Sequence, residues 1–431
     1  MRPYMPPNVI FLNTDQQSRY AVSGSGNPWV NTPNLDALAA SGVSFSRAYC
    51  AAPVCGPSRS CLNYGRPSHE TGVLVNGIEP RQDQPEMCGL FHQAGYDVAW
   101  AGNRGGDQPP IPAETDDRFE LAFPKGQPGL GVDMDGLVVD AAIDFLQRSR
   151  QRPFFLTVPL MNPHDICYAV MDRAPPTADP ARELPPLPDN FEPAKGEPDF
   201  IRRCRARQYY GQENSYAVGW DEDRWRHYLR EYYSLNECVD GQIGRLLGAL
   251  SDLGLEQDTL ILHTADHGEG MAAHRWVVKL MFWENVVGVP LTVSWPGTIP
   301  SGIQRAQLSS GMDVLPTLCD YAGLSIPPGV TGHSLRSAID DNDAGREFVV
   351  MQLHPDTEDL DFAARIVVSR GHKYVAFSAG DRRELLFDRE RDPGEVDDLS
   401  TKPQAEGILR QHRTYLTQWL AQTGDPFTPV V

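Results

Sequence analysis

The 431 residues are 41% apolar and 22% charged, the make-up of a soluble globular protein with room for one large domain and a smaller one. The net charge of −19 argues against general affinity for nucleic acid or an anionic membrane, while leaving room for a local basic pocket that takes an anionic substrate. The eight cysteines (50, 55, 61, 88, 167, 204, 238 and 319) form no C-x-x-C pair and no zinc spacing, so they read as reduced thiols and not as a disulfide framework.

Residues 8–14 form a nearly continuous apolar run, as expected of a strand buried on both faces. The run ends in Asp15, Gln16 and Gln17. A carboxylate at the C-terminal end of a first strand is where open α/β sheets place ligand-binding groups. Thr32 as N-cap, Pro33 at the first helical position, Asp36 in the first turn and Gly42 as terminator predict a helix. Residues 43–49 alternate like one strand and lead through a tight turn into Cys55, Gly56, Pro57, Ser58 and Arg59. Pro57 suits a first helical position. Cys55 then lies at a helix N-terminus in a surface crevice, where free N–H groups and the helix dipole should lower a thiol pKa and suit an anionic group. Asn76 follows in a turn-like stretch.

Residues 96–101 read as another inner strand, running into Gly102, Asn103, Arg104 and Gly105. Residues 137–146 have helical spacing, and 153–160 predict the next buried strand, which ends at His164. A histidine at a strand's C-terminal end points to the same crevice as Asp15. Residues 172–200 are Pro-rich and predict an ordered surface excursion. Arg202, Arg203, Arg205 and Arg207, with Tyr209 and Tyr210, form a dense basic cluster; it reads as a solvated helix face, with a cleft for an anionic sugar as the alternative. A long helix is predicted over about 222–253. Residues 259–264 form a strand that runs into Asp266, His267, Gly268 and Glu269. Short alternating strands at 347–352, 365–369, 373–377 and 384–388, and a terminal amphipathic helix over about 405–421, predict a small antiparallel sheet packed by one helix. No apolar run is long enough to span a bilayer. Residues 1–7 lack the apolar core of a signal peptide, so a cytoplasmic location is expected, or a periplasmic or secreted one where an export signal has been removed.

At residues 55–59 the chain resembles the type I sulfatases of the alkaline phosphatase superfamily. Their signature is C-x-P-S-R followed, after four residues, by T-G-R; here Tyr64 stands in place of the Thr, before Gly65 and Arg66. The family's D-H-G-E, with a His eight residues and a Lys thirteen residues after the Asp, is matched by Asp266, His267, His274 and Lys279. The resemblance implies an α/β fold with a large, mostly parallel central sheet and helices on both faces over residues 1–340, and a smaller C-terminal antiparallel sheet with one helix over 341–431. It implies that a formylglycine-generating enzyme converts Cys55 to formylglycine, and that Asp15, Gln16, Asp266, His267 and residue 55 hold one divalent metal. Hard oxygen ligands favour Ca²⁺, with Mg²⁺ or Mn²⁺ as alternatives. Arg59 would hold the hydrated aldehyde and offset the metal carboxylates. His164 would touch the sulfate and accept a proton, while His274 and Lys279 would assist departure of the alcohol. Relatives keep an Asn near Asn76, so it reads either as a turn residue or as a substrate-side donor. Most sulfatases carry G-K-x-H where this chain has Gly102, Asn103, Arg104 and Gly105. Arg104 is the candidate for the missing charge, and Asn103 stands beside it as a substrate-binding candidate.

The function implied is a sulfuric ester hydrolase acting on a small anionic substrate, a sulfated carbohydrate by family frequency. A phosphonate monoester or phosphodiester hydrolase is the alternative, because some of those enzymes also lack the Lys/His pair. An inactive, glycan-binding relative is a third reading. The intact Cys55, Arg59, Asp266, His267 and Lys279 count against it.

Overall fold

Strand β1 (Asn8–Asp15) is the centre of the molecule, because both of its faces are apolar. Val9 and Phe11 enter one core cluster, and Ile10 and Leu12 enter another, as the two-residue period of a strand requires. The computed structural model describes residues 6–81, 83–102, 120–121, 129–206 and 217–429. Within them lie β2 (Val43–Phe45), β3 (Ala48–Tyr49), β4 (Asp97–Trp100), β5 (Glu120–Leu121), β6 (Phe154–Pro163), β7 (Thr259–Ala265), β8 (Leu291–Ser294), β9 (Ile303–Arg305) and β10 (Ser309–Ser310). The main sheet has the order β5-β4-β6-β1-β7-β8-β2-β9. Strand β8 runs antiparallel to β7 and β2, and the other pairings are parallel. The sheet is therefore mixed and mostly parallel. Residues 43–49 do not form one strand: β2 stays in the main sheet, while β3 leaves it and pairs with β10. The turn at Ser46 and Arg47 between them redirects the chain.

Helices flank both faces. On one face, α1 (Pro33–Ala40) packs with two helices further along the chain, Gly131–Leu146 and Glu222–Asp252. Leu35, Leu38, Val138, Phe145, Val239 and Ile243 meet Ile10 and Leu12 there. On the other face lies α2 (Cys55–Tyr64), with the helices Met87–Gln93 and Val314–Ala322. Among the described residues, no helix is long and apolar enough to cross a membrane.

The C-terminal part is a four-stranded antiparallel sheet of β11 (Phe348–Leu353), β12 (Ala364–Ser369), β13 (His372–Phe377) and β14 (Glu384–Asp388). Alternation again sorts its side chains. Val367, Tyr374 and Leu386 pack under the terminal helix Glu406–Thr423, whereas Ile366, Val368, Val375 and Phe387 join the core of the main domain.

A buried ionic network ties the two sheets together. Lys373 Nζ lies 2.7 Å from Glu284 and 2.5 Å from Glu395. Arg389 lies 2.8 Å from Glu284, which also pairs with Arg19. Burial works against ionisation of Glu284, but Lys373, Arg19 and Arg389 outweigh it and hold the carboxyl well below the usual range. Removing one partner leaves uncompensated charge in a dry interface. Lys373→Met is therefore expected to destabilise the fold by about 3–5 kcal/mol, read as a lowered urea midpoint; an unchanged midpoint would show that the network contributes nothing net.

Candidate active site

The topology sets the first half of the site. β1 and β7 are parallel neighbours with Thr14 opposite Ala265, so Asp15 and Asp266 emerge side by side at their C-terminal ends. The other half comes from α2. The helix begins at Cys55 itself, which makes Pro57 its third residue and not its first. Its missing N–H still costs nothing there, because the first four N–H groups have no partner within a helix. Arg59 stands one turn after Cys55, so both side chains share a face.

Arg59 bridges the two acids: its Nε lies 3.0 Å from Asp266 Oδ2, and a terminal nitrogen pairs with Asp15 Oδ2. Each carboxylate thus turns its Oδ1 toward a common centre. His267 Nε2 lies 3.8 Å from Asp15 Oδ1, 3.7 Å from Asp266 Oδ1 and 3.3 Å from Cys55 Sγ. The ligand atoms of Asp15, Cys55, Asp266 and His267 all lie within 4.8 Å of one another. His267 Nδ1–H donates to the Gly268 carbonyl at 2.9 Å, which leaves the Nε2 lone pair facing the centre. Burial lowers the pKa of His267 and keeps it neutral, against the pull of Asp266. Asp266 is fully buried, yet His267, Arg59 and the Gln16 N–H hold its carboxyl below the usual range. This donor set suits a divalent cation.

The thiol differs from the sequence expectation in two ways. Cys55 lies in a buried pocket and not in an open surface crevice; every residue of α2 is buried. Its pKa is pushed up to about 12, first by burial and then by Asp15, against the pull of Lys279. Desolvation beside a carboxylate outweighs the helix dipole.

Lys279 Nζ lies 2.9 Å from Cys55 Sγ and 3.0 Å from Gln16 Oε1. Burial opposes its charge, but Cys55, Cys167 and Asp15 raise its pKa well above the ordinary value. The loop that delivers it is strained: Met271, Ala272, His274, Arg275, Val278 and Leu280 all have positive φ. Each such residue costs roughly 1–2 kcal/mol, so the surroundings must over-determine the path. Glu269 accepts from Tyr228, from the Val278 N–H and from Gln16 Nε2. Trp276 Nε1 donates to the Lys279 carbonyl, and the Leu280 N–H donates to Pro53. A Cβ at Gly268 would lie 2.1 Å from the Asn285 carbonyl, so only glycine fits there.

His164 lies beside this centre on the turn after β6. The Met161 and Asn162 N–H groups bond Asp135, and Asp165 accepts from Gly131 and Val132. Burial, then the charge of Lys279, lowers the His164 pKa to about 3. Among the described residues its buried Nδ1 has no hydrogen-bond partner, and the imidazole is neutral.

The side chains of Gln16, Asn76 and His274 make contacts other than with the four-donor centre. The Gln16 amide oxygen faces Lys279 and Cys167 Sγ, so it lies outside the four-donor centre; the Gln16 N–H is what bonds Asp266. Asn76 Oδ1 accepts from the Gly56 N–H at 2.8 Å, which fastens the first turn of α2. His274 does not reach the centre. Its Nε2 donates to the Gly394 carbonyl at 2.9 Å, and its ring stacks on Trp283 with centroids 3.7 Å apart. It anchors the Lys279 loop to the C-terminal part. His274→Gln is expected to lower kcat less than about tenfold while lowering the melting temperature by several degrees; a thousandfold loss with unchanged melting would place the imidazole on the substrate. Asn103 and Arg104 lie outside the described residues.

Tyr228 and Cys167 support the centre without having been singled out in the sequence, and Glu269, named there only as part of D-H-G-E, joins them. Tyr228 stands at helical spacing with Tyr232 on the buried side of the long helix, and that spacing was the available signal. The described part of the basic cluster is a paired surface: Arg202 meets Asp199, Arg203 meets Asp356 and Asp359, and Arg205 meets Glu197; Arg207, Tyr209 and Tyr210 lie outside the described residues.

Comparison with known proteins bears on this geometry. The family model described as Sulfatase matches residues 7–324, and one described as N-sulphoglucosamine sulphohydrolase, C-terminal, matches residues 272–422. The chain is 28% identical to a Delta 4,5-hexuronate-2-O-sulfatase of Bacteroides thetaiotaomicron over 98% of this chain and 90% of that protein. The solved structure of a 2-O GAG sulfatase superposes with a TM-score of 0.85 at 27% identity, covering 97% of this chain and 93% of the other. The phosphonate monoester hydrolase of Agrobacterium radiobacter shares the fold, with a TM-score of 0.81 at 21% identity over 97% and 96% of the two chains.

Proposed function

The chain belongs to the sulfatase family, and from that premise we propose that it hydrolyses a sulfate ester carried on a carbohydrate, with Cys55 as the precursor of its nucleophile. The observation that carries this reading is the convergence of Asp15, Asp266, His267 and Cys55 on one point, with Arg59 and Lys279 as its cations. The carbohydrate is supported by the relatives, a hexuronate sulfatase and a GAG sulfatase.

Asp15, Asp266 and His267, with residue 55, would hold a divalent cation, Ca²⁺ by the hardness of the two carboxylates, with Mg²⁺ or Mn²⁺ as alternatives. Bound there, it would neutralise negative charge at the reacting centre. Conversion of Cys55 to formylglycine would supply the hydroxyl that attacks sulfur. Arg59 fixes both carboxylates, so their inward oxygens keep one geometry. Lys279 keeps its proton in the buried pocket and can donate to the departing alkoxide. His164, whose Nδ1 has no hydrogen-bond partner among the described residues, is the candidate base for expulsion of sulfate, provided the substrate's negative charge offsets the burial and the Lys279 charge that hold its pKa at about 3. The rigid loop around Lys279 holds the ammonium in place before substrate arrives.

The test pairs two measurements on protein made beside a formylglycine-generating enzyme: the mass of the peptide containing Cys55, and turnover of a matched aryl sulfate and aryl phosphonate. We expect the aldehyde or its hydrate, and a sulfate rate well above the phosphonate rate. A faster phosphonate would transfer the site to that chemistry, and an unconverted thiol would overturn the nucleophile assignment.

A further inference from the structure

Among the cavities of the described residues that lie outside this chemistry, one is lined by a row of polar strand residues. It lies on the α1 side of the sheet, where β7, β8, β2 and β9 run side by side, and has a volume of about 370 Å³. None of the four converging donor residues lines it. The strand register places His263 opposite Thr292, Thr292 opposite Ser44, and Ser44 opposite Gln304. Residues directly opposite in paired strands share a face, so four polar side chains cross four strands in a single row, and all four line the cavity.

Among the described residues, no hydrogen bond engages any of these four side chains, and His263 Nε2 is fully enclosed without a partner. Thr292 and His263 are buried, Ser44 is half-buried and Gln304 is exposed, so the row runs from the enclosed end of the cavity to its open mouth and presents groups that can bond a polar ligand. The charge of the wall narrows the choice. Asp36 lines the cavity and is in no ion pair among the described residues. Among the described residues the one lysine or arginine in the wall, Arg19, is paired with Glu284. Burial lowers the His263 pKa to about 4 and keeps it neutral. An anion would therefore meet an uncompensated carboxylate and no free cation. The remaining chemistry is a row of hydroxyl, amide and imidazole groups, with the partly exposed ring of Tyr20 on the rim. Such a wall serves a ligand with several hydroxyls on a ring whose C–H face can lie against an aromatic side chain.

We propose that this cavity is a second saccharide site, which takes one uncharged hexose unit away from the sulfur chemistry. It is a binding function separate from hydrolysis and stands without the assignment of Cys55.

The test is calorimetric titration of the full chain with glucose, galactose and N-acetylglucosamine in turn. At least one should bind saturably in the millimolar range and bind equally well to Cys55→Ala. Gln304→Leu and Thr292→Val should each weaken that binding at least about fivefold while leaving nitrophenyl sulfate hydrolysis within about twofold. Ser44→Ala, which removes only a hydroxyl, repeats the test where a larger change lowers the melting temperature. The proposal fails if none of the three sugars saturates, if binding survives these substitutions, or if inorganic sulfate competes with it.

Discussion

Cys55→Ala is expected to lower kcat toward an aryl sulfate by at least about 10⁴-fold, as loss of a nucleophile does in enzymes that work through one. Lys279 Nζ and His267 Nε2 stand 2.9 and 3.3 Å from its Sγ, so residue 55 is the point on which the pocket converges. The fold should survive. Cys55 is buried, and truncating it leaves a small cavity that costs about 1–2 kcal/mol. Lys279 keeps a partner in Gln16 Oε1, so no lone cation is stranded. Turnover and a urea denaturation curve on the same sample separate the two effects. Cys55→Ser should be almost as inactive, because a hydroxyl lacks the thiol chemistry that maturation requires. A Cys55→Ala protein within tenfold of the native rate would remove residue 55 from the mechanism.

The second large effect is expected at Asp266. Its Oδ2 faces Arg59 Nε, and its Oδ1 accepts from the N–H groups of Gln16 and His267. All these partners are donors. In Asp266→Asn the amide NH₂ must point at a donor whichever way it turns, and this leaves a buried clash of unsatisfied groups. The substitution also halves the charge that Arg59 balances and removes a candidate metal oxygen. We expect kcat/KM to fall by at least about 10³-fold, and metal bound per chain, measured by elemental analysis, to fall with it. The native carboxyl sits below its ordinary range. Its stabilising contribution is therefore complete at neutral pH and is lost as pH falls through that lowered value. The variant should lack this part of the acid-side decline in stability. Native metal content together with native activity would show that Asp266 is no ligand.

Much of the fold was legible because its signals are local. The apolar run of β1, the caps around α1, the spacing of the helix Glu222–Asp252 and the alternation of β11 to β14 each lie within a few residues. The splitting of residues 43–49 between two sheets was not legible, since a period of two is the same whichever sheet a strand joins. Likewise, His274 keeps motif spacing, yet its ring turns to Gly394 in the C-terminal part.

The sequence by itself determined which residue types stand at the strand ends and at the start of α2, and with them the family and the class of chemistry. Only the tertiary structure decided which atoms converge. Arg59 takes one oxygen from each acid, Gln16 turns its amide to Lys279, and burial raises the Cys55 thiol instead of lowering it. The physical reason is that charge, desolvation and hydrogen bonding act through space. They join β1, α2 and the loop after β7, which are far apart along the chain, and spacing along a chain carries no record of that contact.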